Sequence, residues 1–281
     1  MNTELDYINL ATSILSIAKN AGIEILKIYD KSDLGITYKD DNSPLTLADK
    51  ASNDTIEAAL KRLTPDIPIL SEEGENIDYS DREDWNLFWL IDPLDGTKEF
   101  IKRNGEFTVN IALIEKGVPT IGIVYAPKLD ILWYGSKLTG AIRIDQNNIT
   151  KNIHVNKKDG NDSLNVVVSR SHLNPLIKKF VEQFKNINLI SIGSSIKMCY
   201  VADGTADLYP RLGPTMEWDT AAAHAVIKFA GGDLLDFNSN QPLIYNKESL
   251  LNPKFLAIEK NNQSLSNHIK DLRQMVYDFS K

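Results

Sequence analysis

The sequence has only one cysteine, Cys199, among its 281 residues, so no disulfide can form within the chain. We also expect no secretory signal, because acidic and basic residues interrupt the apolar positions near the N-terminus. No window approaches the ~18 uninterrupted apolar residues of a membrane-spanning helix. We therefore expect a cytoplasmic protein with no integral membrane segment, and loose peripheral association with the inner face of the cell membrane stays open.

Positive charge is in deficit, since 31 Lys and Arg residues stand against 38 Asp and Glu residues, for a net charge of −7. Proteins that coat nucleic acids are usually basic, so we expect no nucleic-acid partner. A small phosphorylated substrate is compatible with the acidic balance, because bound cations can reverse the sign of a site locally.

Several common catalytic and metal-binding motifs are missing. The four histidines lack the spacing of zinc ligands, and the sequence has no nucleophile elbow, P-loop or dinucleotide fingerprint. Asp95-Gly96-Thr97 matches part of the motif of phosphatases that form an aspartyl phosphate, but Pro93 takes the position of their nucleophile. Phosphoryl chemistry on this stretch would therefore use direct attack by water.

Hydrophobic periodicity predicts different architectures before and after about residue 155. The first part reads as helices at about 4–29 and 46–63 with strands at 35–39, 68–71, 87–91, 107–114, 118–125 and 131–135. The second part alternates strands at 164–169, 188–192, 206–210 and 233–236 with helices at 174–185, 195–203, 218–230 and about 262–279. The polar segment 156–163 favours a domain boundary. We predict an α+β domain with an antiparallel sheet over 1–155 and an α/β domain over 156–281.

A buried apolar strand, 87–91, runs into two carboxylates three positions apart, Asp92 and Asp95, which Gly96 and Thr97 follow. The carboxylates at such a strand end can hold a hard cation, and backbone N–H groups at the start of a helix can accept an anion. A turn in which the aspartates cap the next helix fits the same residues.

Three further acidic positions accompany this strand end. Glu72 and Glu73 follow a short strand, Asp219 opens an apolar helix, and Asp49 follows Thr46 at the spacing of a capping box. Each position also fits a solvated turn or a helix cap. If they converge, each pair of like charges ~4 Å apart costs on the order of 4 kcal/mol at an effective dielectric constant of ~20. Convergence therefore predicts a bound divalent metal, and an all-oxygen ligand set indicates Mg²⁺.

The same acidic segments resemble the signatures of the inositol monophosphatase superfamily: Glu72-Glu73, Asp92-Pro93-Leu94-Asp95-Gly96-Thr97 and Trp218-Asp219-Thr220-Ala221-Ala222. The stretch from Asp95 to Ile114 is similar to the bacterial 3′(2′),5′-bisphosphate nucleotidases of that superfamily, and so are the segments 41–46, 168–172 and 193–197. The resemblance covers about residues 5 to 258, nearly the whole chain.

The resemblance implies a layered αβαβα sandwich and a set of roles in the first domain, which would carry most of the metal ligands. Two to three Mg²⁺ ions are implied: the first held by Glu72, Asp92 and the Leu94 carbonyl, the second by Asp92, Asp95 and Asp219, and a weaker third near Glu72. Asp49, Thr97 and Glu72 are implied as the catalytic residues, with Thr97 orienting the attacking water. Gly96 and Thr97 would hold the phosphate through their N–H groups.

The implied reaction is hydrolysis of the 3′-phosphate of adenosine 3′,5′-bisphosphate, with the 2′,5′ isomer and 3′-phosphoadenylyl sulfate as related substrates. Ser194, Lys197, Arg211, Asp219 and His172 are the implied substrate-binding residues, and Lys197 and Arg211 could pair with the 5′-phosphate. Li⁺ is the implied inhibitor. The sequence leaves open whether the protein is a monomer or a homodimer.

Two alternatives remain at this point. An inositol monophosphatase or sugar bisphosphatase would share the metal chemistry and differ in the substrate pocket. A non-catalytic metal- or nucleotide-binding protein on the same scaffold would be expected to have lost Thr97, Asp49 or a metal ligand, and this sequence keeps all of them.

Overall fold

The computed structural model describes residues 7–39, 44–158, 163–169, 175–182, 184 and 186–261. Two long helices belong to the first part of the chain, α1 (Tyr7–Tyr29) and α2 (Leu47–Leu63). A two-stranded antiparallel sheet of β1 (Thr37–Tyr38) and β2 (Pro44–Leu45) lies between them in the sequence. The short helices α3 (Tyr79–Arg82) and α4 (Thr97–Ile101) flank the next strands.

A seven-stranded sheet forms the centre of the first part, and its strands are neighbours in chain order. They are β3 (Ile69–Ser71), β4 (Leu87–Asp95), β5 (Thr108–Glu115), β6 (Val118–Ala126), β7 (Ile131–Ser136), β8 (Gly140–Ile144) and β9 (Thr150–Asn152). Strands β3 and β4 are parallel, and all later pairs are antiparallel. The antiparallel run predicted from the sequence is confirmed.

A five-stranded sheet forms the second part, with strand order β11-β10-β12-β14-β13. Its elements are β10 (Leu164–Ser169), α5 (Pro175–Val181), β11 (Ile187–Ile192), α6 (Ile196–Ala202), β12 (Leu208–Arg211), α7 (Glu217–Phe229), β13 (Gly232–Asp236) and β14 (Phe255–Glu259). Strand β10 pairs in parallel with β11 and β12, whereas β14 is antiparallel to both of its neighbours.

Burial shows how the layers stack. Helices α1 and α2 cover one face of the seven-stranded sheet through a cluster that includes Ile14, Ile56 and Trp89. Helices α6 and α7 lie between the two sheets, where Phe88 and Val226 belong to one apolar cluster. Helix α5 covers the outer face of the five-stranded sheet. The result is the αβαβα sandwich, as expected; the division into two domains at residue 155 stays a prediction.

The structure differs from the sequence prediction in several elements. Strand β4 continues to Asp95 instead of ending before Asp92, because a register shift lets it keep pairing with β5 on both sides of Pro93. Strands β8, β9 and β14 were not predicted, and helix α5 is shorter than the predicted 174–185. The predicted final helix at 262–279 lies outside the described residues.

Candidate metal centre and active site

Strand β4 delivers two of the acidic side chains. Asp92 pairs across the sheet with Asn110, Asp95 pairs with Thr108, and the register shifts between the two pairs. Ser52 on α2 donates a hydrogen bond from Oγ to the Pro93 carbonyl at 2.7 Å, which ties the irregular end of the strand to the helix above it. The Pro93 carbonyl, which lies between the two paired positions, therefore has a hydrogen-bond partner outside the sheet.

Three carboxylates from three elements meet at this strand end. Glu72 follows β3 and donates its N–H to the Ile91 carbonyl on β4 at 3.1 Å, because β3 and β4 are parallel neighbours. Asp219 lies in the first turn of α7. One carboxylate oxygen from each of Glu72, Asp92 and Asp219 lies within 4.8 Å of the other two. The residues alone left this convergence open, and the resemblance to the superfamily implied it.

The electrostatics of the cluster favour a cation. Burial raises the pKa of Asp92 well above its ordinary value, and the charges of Glu72 and Asp95 raise it further. Burial and the charge of Asp95 raise the pKa of Asp219 to about 8. Burial likewise raises the pKa of Glu72, against the lowering effect of Lys39. An all-oxygen set with this much uncompensated negative charge fits a hard divalent cation and does not fit the sulfur and imidazole preferences of zinc.

Lys39 contacts the acidic cluster although no sequence pattern indicated it. Its Nζ donates to Glu72 Oε1 at 3.0 Å and to Glu73 Oε1 at 2.5 Å. Burial alone would lower the pKa of Lys39, but the charge of Glu72 and the two hydrogen bonds raise it overall. A single lysine after a short strand has no sequence signal that separates it from a solvated surface residue.

Asp49 and Thr97 are in contact. Thr97 Oγ1 donates to Asp49 Oδ1 at 3.2 Å and lies 3.4 Å from the Leu94 carbonyl oxygen. The other oxygen of Asp49, Oδ2, accepts the N–H of Thr46 at 2.8 Å and its hydroxyl at 2.6 Å. The capping box that the sequence suggested is therefore present, and the same carboxylate also reaches Thr97.

Asp95 lies close to the cluster but is held differently. Its Oδ2 accepts hydrogen bonds from Ser194 Oγ at 2.7 Å and from the Ser195 N–H at 2.5 Å. Gly96 follows with a φ of +94°, and a Cβ there would lie 3.0 Å from the Glu106 carbonyl oxygen. Only glycine combines this backbone conformation with so close an approach. The chain can then turn directly from β4 into α4.

A cavity of about 950 Å³ begins at Asp95 and Gly96 and extends to Arg211. Lys197 is buried in its wall, where Nζ donates to the Ser194 carbonyl at 2.5 Å and lies 5.8 Å from the centre of the Tyr209 ring. Arg211 donates to the Pro214 carbonyl at 2.6 Å and to the Thr215 hydroxyl. Ser194, Lys197 and Arg211 are thus brought together, whereas His172 lies outside the described residues.

Cys199 and His224, two residues of chemically reactive types, are buried. Cys199 is a free thiol in the core of α6. His224 is held on both ring nitrogens, by the Tyr245 hydroxyl at 2.9 Å and by Asp233 Oδ1 at 2.8 Å. Within the described part of the chain, no helix is long and apolar enough to cross a membrane.

Comparison with known proteins shows the family of this chain. The model of the inositol monophosphatase family matches residues 7–276. The chain belongs to the inositol monophosphatase family. It is 47% identical over 244 residues to the 3′(2′),5′-bisphosphate nucleotidase CysQ of Escherichia coli K12, covering 86% of this chain and 96% of that protein.

Solved structures agree as well. The crystal structure of CysQ from Bacteroides thetaiotaomicron, a bacterial member of the family, is 42% identical with a TM-score of 0.82, covering 92% of this chain and all of that one. An inositol monophosphatase from Anabaena has a TM-score of 0.75 at 24% identity, covering 95% of this chain and 97% of that one, which shows the shared fold.

Proposed function

We propose that this protein is a 3′(2′),5′-bisphosphate nucleotidase that hydrolyses the 3′-phosphate of adenosine 3′,5′-bisphosphate to AMP and phosphate. The observation that carries the proposal is the position of Asp95, whose charge acts on the carboxylate cluster and which also lines a cavity that has buried Lys197 in its wall. The identity to proteins named CysQ supports the same substrate class. The 2′,5′ isomer and 3′-phosphoadenylyl sulfate are included in the proposal, and the role would be removal of a by-product of sulfate activation.

The metal in this proposal is Mg²⁺, with two to three ions at each site. Glu72, Asp92 and the Leu94 carbonyl would hold the first ion, Asp92, Asp95 and Asp219 the second, and Glu72 with water a weaker third. The charges of Glu72 and Asp95 both contribute to the raised pKa values of Asp92 and Asp219, which supports the assignment. When bound, the ions would lower the pKa of the attacking water and stabilise the leaving alkoxide. Li⁺ would inhibit by competing for a Mg²⁺ position.

The residues of the chain itself would orient the reaction. The Thr97 hydroxyl donates a hydrogen bond to Asp49. The lone pairs of Thr97 Oγ1 are therefore left to accept a hydrogen bond from the attacking water. Asp49 is itself fixed by the two hydrogen bonds from Thr46, so the pair has one geometry. The N–H groups of Gly96 and Thr97 would hold the phosphate beside this water, and positioning of this kind carries most of phosphoryl transfer.

The surroundings of Lys197 favour a substrate that carries a second anionic group. The contacts of its ammonium group among the described residues are a carbonyl oxygen and a ring face, and neither is a carboxylate. A buried cation without a counter-charge is costly unless a ligand supplies one. We assign this position to the 5′-phosphate, together with Arg211, and keep Ser194, Asp219 and His172 as further substrate contacts.

The test is phosphate release from adenosine 3′,5′-bisphosphate, inositol 1-phosphate and fructose 1,6-bisphosphate, each with Mg²⁺, with EDTA and with Mg²⁺ plus Li⁺. We expect release from the nucleotide alone, dependent on Mg²⁺ and reduced by Li⁺. A preference for the inositol or sugar phosphate would agree with the proposed metal chemistry and contradict the assignment of the cavity to a nucleotide. If Mg²⁺ causes no phosphate release from any of the three substrates, the result would favour the alternative of a non-catalytic metal- or nucleotide-binding protein.

A further inference from the structure

Asp95 is the end point of a chain of polar side chains that comes from two distant parts of the sequence. Ser194 Oγ is 2.7 Å from Asp95 Oδ2 and 2.5 Å from Thr108 Oγ1. Thr108 Oγ1 is 2.8 Å from Ser195 Oγ, which is 2.8 Å from the amide oxygen of Asn110. Thr108 and Asn110 lie on β5, and the two serines immediately precede α6. The four side chains that lead to Asp95 are all buried: Ser194, Thr108, Ser195 and Asn110.

The number of protons on these side chains decides in which direction the series of hydrogen bonds runs. It contains four short contacts, Asp95–Ser194, Ser194–Thr108, Thr108–Ser195 and Ser195–Asn110. The three hydroxyls supply only three protons, because each hydroxyl has one. If the amide oxygen of Asn110 accepts from Ser195 and Asp95 is ionised, one contact has no proton. A fourth donor is therefore required at one end of the chain.

Asn110 can provide that donor. Its Nδ2 is buried and has no hydrogen-bond partner among the described residues. A rotation of the amide by 180° brings Nδ2 to the position beside Ser195 Oγ, and the amide oxygen takes the unpartnered position. Unpaired buried acceptors are tolerated better than unpaired buried donors. All four contacts then have one proton each, and the chain runs from Asn110 through Ser195, Thr108 and Ser194 to Asp95.

We propose that Asn110, Ser195 and Thr108 are positioning residues for Asp95, acting through a one-way hydrogen-bond chain that ends on Asp95 Oδ2. The Ser195 N–H donates to the same oxygen, so Oδ2 is fixed from two directions. None of these hydrogen bonds goes to the other oxygen, Oδ1, which would be left to bind a cation. This inference rests on the proposed function in one respect, the role of Asp95 as a metal ligand.

The chain also explains the backbone of Ser194, whose φ of +57° is in the left-handed region that a non-glycine residue rarely adopts. Glycine would fit this backbone at lower cost, but it would remove the hydroxyl that links Thr108 to Asp95. The carbonyl of the same residue accepts from Lys197. Ser194 therefore connects the wall of the cavity to Asp95.

The test compares Thr108→Val, Thr108→Ser and Thr120→Val by calorimetric titration of Mg²⁺ onto the metal-free protein. Thr108→Val removes the central hydroxyl without changing the side-chain shape, Thr108→Ser keeps it, and Thr120 is a matched control whose hydroxyl donates to the Leu113 carbonyl away from the site. We expect Thr108→Val to weaken the affinity of one Mg²⁺ position by about tenfold to a hundredfold. Thr108→Ser and Thr120→Val should bind Mg²⁺ like the unmodified protein.

The kinetic signature separates positioning from a general loss of structure. The Mg²⁺ concentration for half-maximal activity should rise in Thr108→Val by the same factor, while kcat at saturating Mg²⁺ stays within about twofold of the unmodified value. Ser195→Ala interrupts the chain at another link and should reproduce the effect, so a folding defect in one variant does not decide the outcome. Unchanged Mg²⁺ affinity in a folded Thr108→Val or Ser195→Ala protein overturns the proposal.

The direction of the chain has its own readout. Neutron diffraction from deuterated crystals should locate deuterium on Asn110 Nδ2 directed at Ser195 Oγ. Deuterium on Ser195 Oγ directed at the amide oxygen would reject the direction that we infer. If the unmodified protein binds Mg²⁺ and releases no phosphate from the nucleotide, the proposed function fails, and the Mg²⁺ titrations still decide this inference.

Discussion

Asp49 and Asp219 occupy the same position in two different helices. Each is the third residue of its helix, and each uses Oδ2 to accept the N–H of the residue before the helix, at 2.8 Å from Thr46 and 2.9 Å from Met216. The remaining oxygen of Asp49 faces Thr97, and a carboxylate oxygen of Asp219 faces the acidic cluster. Capping fixes the rotamer of each side chain, so the helix start supplies the precision that the site needs.

The hydroxyl of Thr97 should be required for turnover but not for folding. We expect Thr97→Val to lower kcat by about a hundredfold or more, because the attacking water loses its acceptor. Thr97→Ser keeps the hydroxyl and should retain most of the activity. Steady-state kinetics and melting temperatures measured on both variants check this, and equal losses of kcat would contradict the assigned role.

The charge of Lys197 should matter for one substrate and not for another. We expect Lys197→Met to raise KM for adenosine 3′,5′-bisphosphate by about tenfold to a hundredfold, the range of a hydrogen bond to a charged group. KM for 3′-AMP, which has no 5′-phosphate, should change little. Lys98→Met is the matched control, since Lys98 lines the same cavity. Equal effects of Lys197→Met on both substrates would remove the 5′-phosphate assignment.

Lys39 should compete with metal ions for Glu72. Its ammonium group already neutralises part of the acidic cluster, with contacts of 3.0 Å to Glu72 and 2.5 Å to Glu73. Removing a positive charge beside a cation site strengthens cation binding, so Lys39→Met should tighten Mg²⁺ binding by about tenfold. Lys61→Met removes a lysine that pairs with Glu57 on the same helix and serves as the control. Weaker Mg²⁺ binding in Lys39→Met would show that the lysine assists the metal.

At the scale of elements, helix α7 is anchored at the end where it contributes to the site. Glu217 is buried at the start of α7, and its carboxylate accepts from the N–H groups of Asn246 and Lys247 at 2.7 and 3.1 Å. The Lys247 ammonium group donates to the same carboxylate at 2.5 Å. These contacts hold the first turn of the helix, which contains Asp219, against the loop at 246–252.

Glu217→Gln should therefore loosen both the fold and the metal site. We expect a loss of about 2–3 kcal/mol in the free energy of unfolding, because two N–H donors and an ammonium group lose a charged acceptor. The Mg²⁺ concentration for half-maximal activity should also rise, since Asp219 lies two residues away. Glu24→Gln breaks an exposed pair with Lys27 and should cost no more than about 0.5 kcal/mol. Urea unfolding and Mg²⁺ titration measure both effects.

The sequence predicts the elements that present the acidic residues better than it predicts their partners. Strand ends and helix starts are local features, so the positions of Glu72, Asp92 and Asp219 follow from hydrophobic periodicity and capping preferences. Thr108 and Asn110 lie beside the aspartates only because of the register between β4 and β5, which includes a shift that periodicity does not encode. The assignment of β4 as ending before Asp92 fails for the same reason.

Contacts between distant segments were also not predictable. Ser195 reaches Asn110 because the start of α6 packs over β5, and Lys39 reaches Glu73 across more than thirty residues. Neither side chain belongs to a local pattern. The layered αβαβα arrangement was expected from the resemblance to a known superfamily, since alternation of elements alone does not state how two sheets stack.

At the scale of the whole molecule, the two sheets and their helices enclose a group of carboxylates that repel one another. Folding without metal buries these carboxylates and brings their charges together, and the pKa values of Asp49, Glu72, Asp92 and Asp219 are raised first by burial and then by neighbouring negative charges. A carboxyl group whose pKa is higher in the folded state stabilises the fold below its unfolded pKa, and that contribution is lost as the pH rises through the folded pKa.

The metal-free protein should therefore lose stability as the pH rises between about 7 and about 9. In that window the pKa of Asp219, raised from 3.8 to about 8, is the relevant one. Mg²⁺ should restore the melting temperature, with a larger increase at the upper end of the window, because it binds the ionised carboxylates. Calorimetric melting curves with EDTA and with Mg²⁺ test this. If the increase in melting temperature caused by Mg²⁺ is the same at every pH, the predicted pH dependence is wrong.

The separation in sequence between the clustered carboxylates has a consequence for how the protein unfolds. Glu72 and Asp219 are separated by about 150 residues of sequence, and their oxygens lie within 4.8 Å. The two proposed ions, which share Asp92, would together link Glu72 to Asp219 as a reversible cross-link that closes this long loop, and such closure removes most freedom from a partly opened chain. Separation of α7 from the seven-stranded sheet would require release of the second ion first. Metal availability would then set the lifetime of the protein against proteases as well as its catalytic rate.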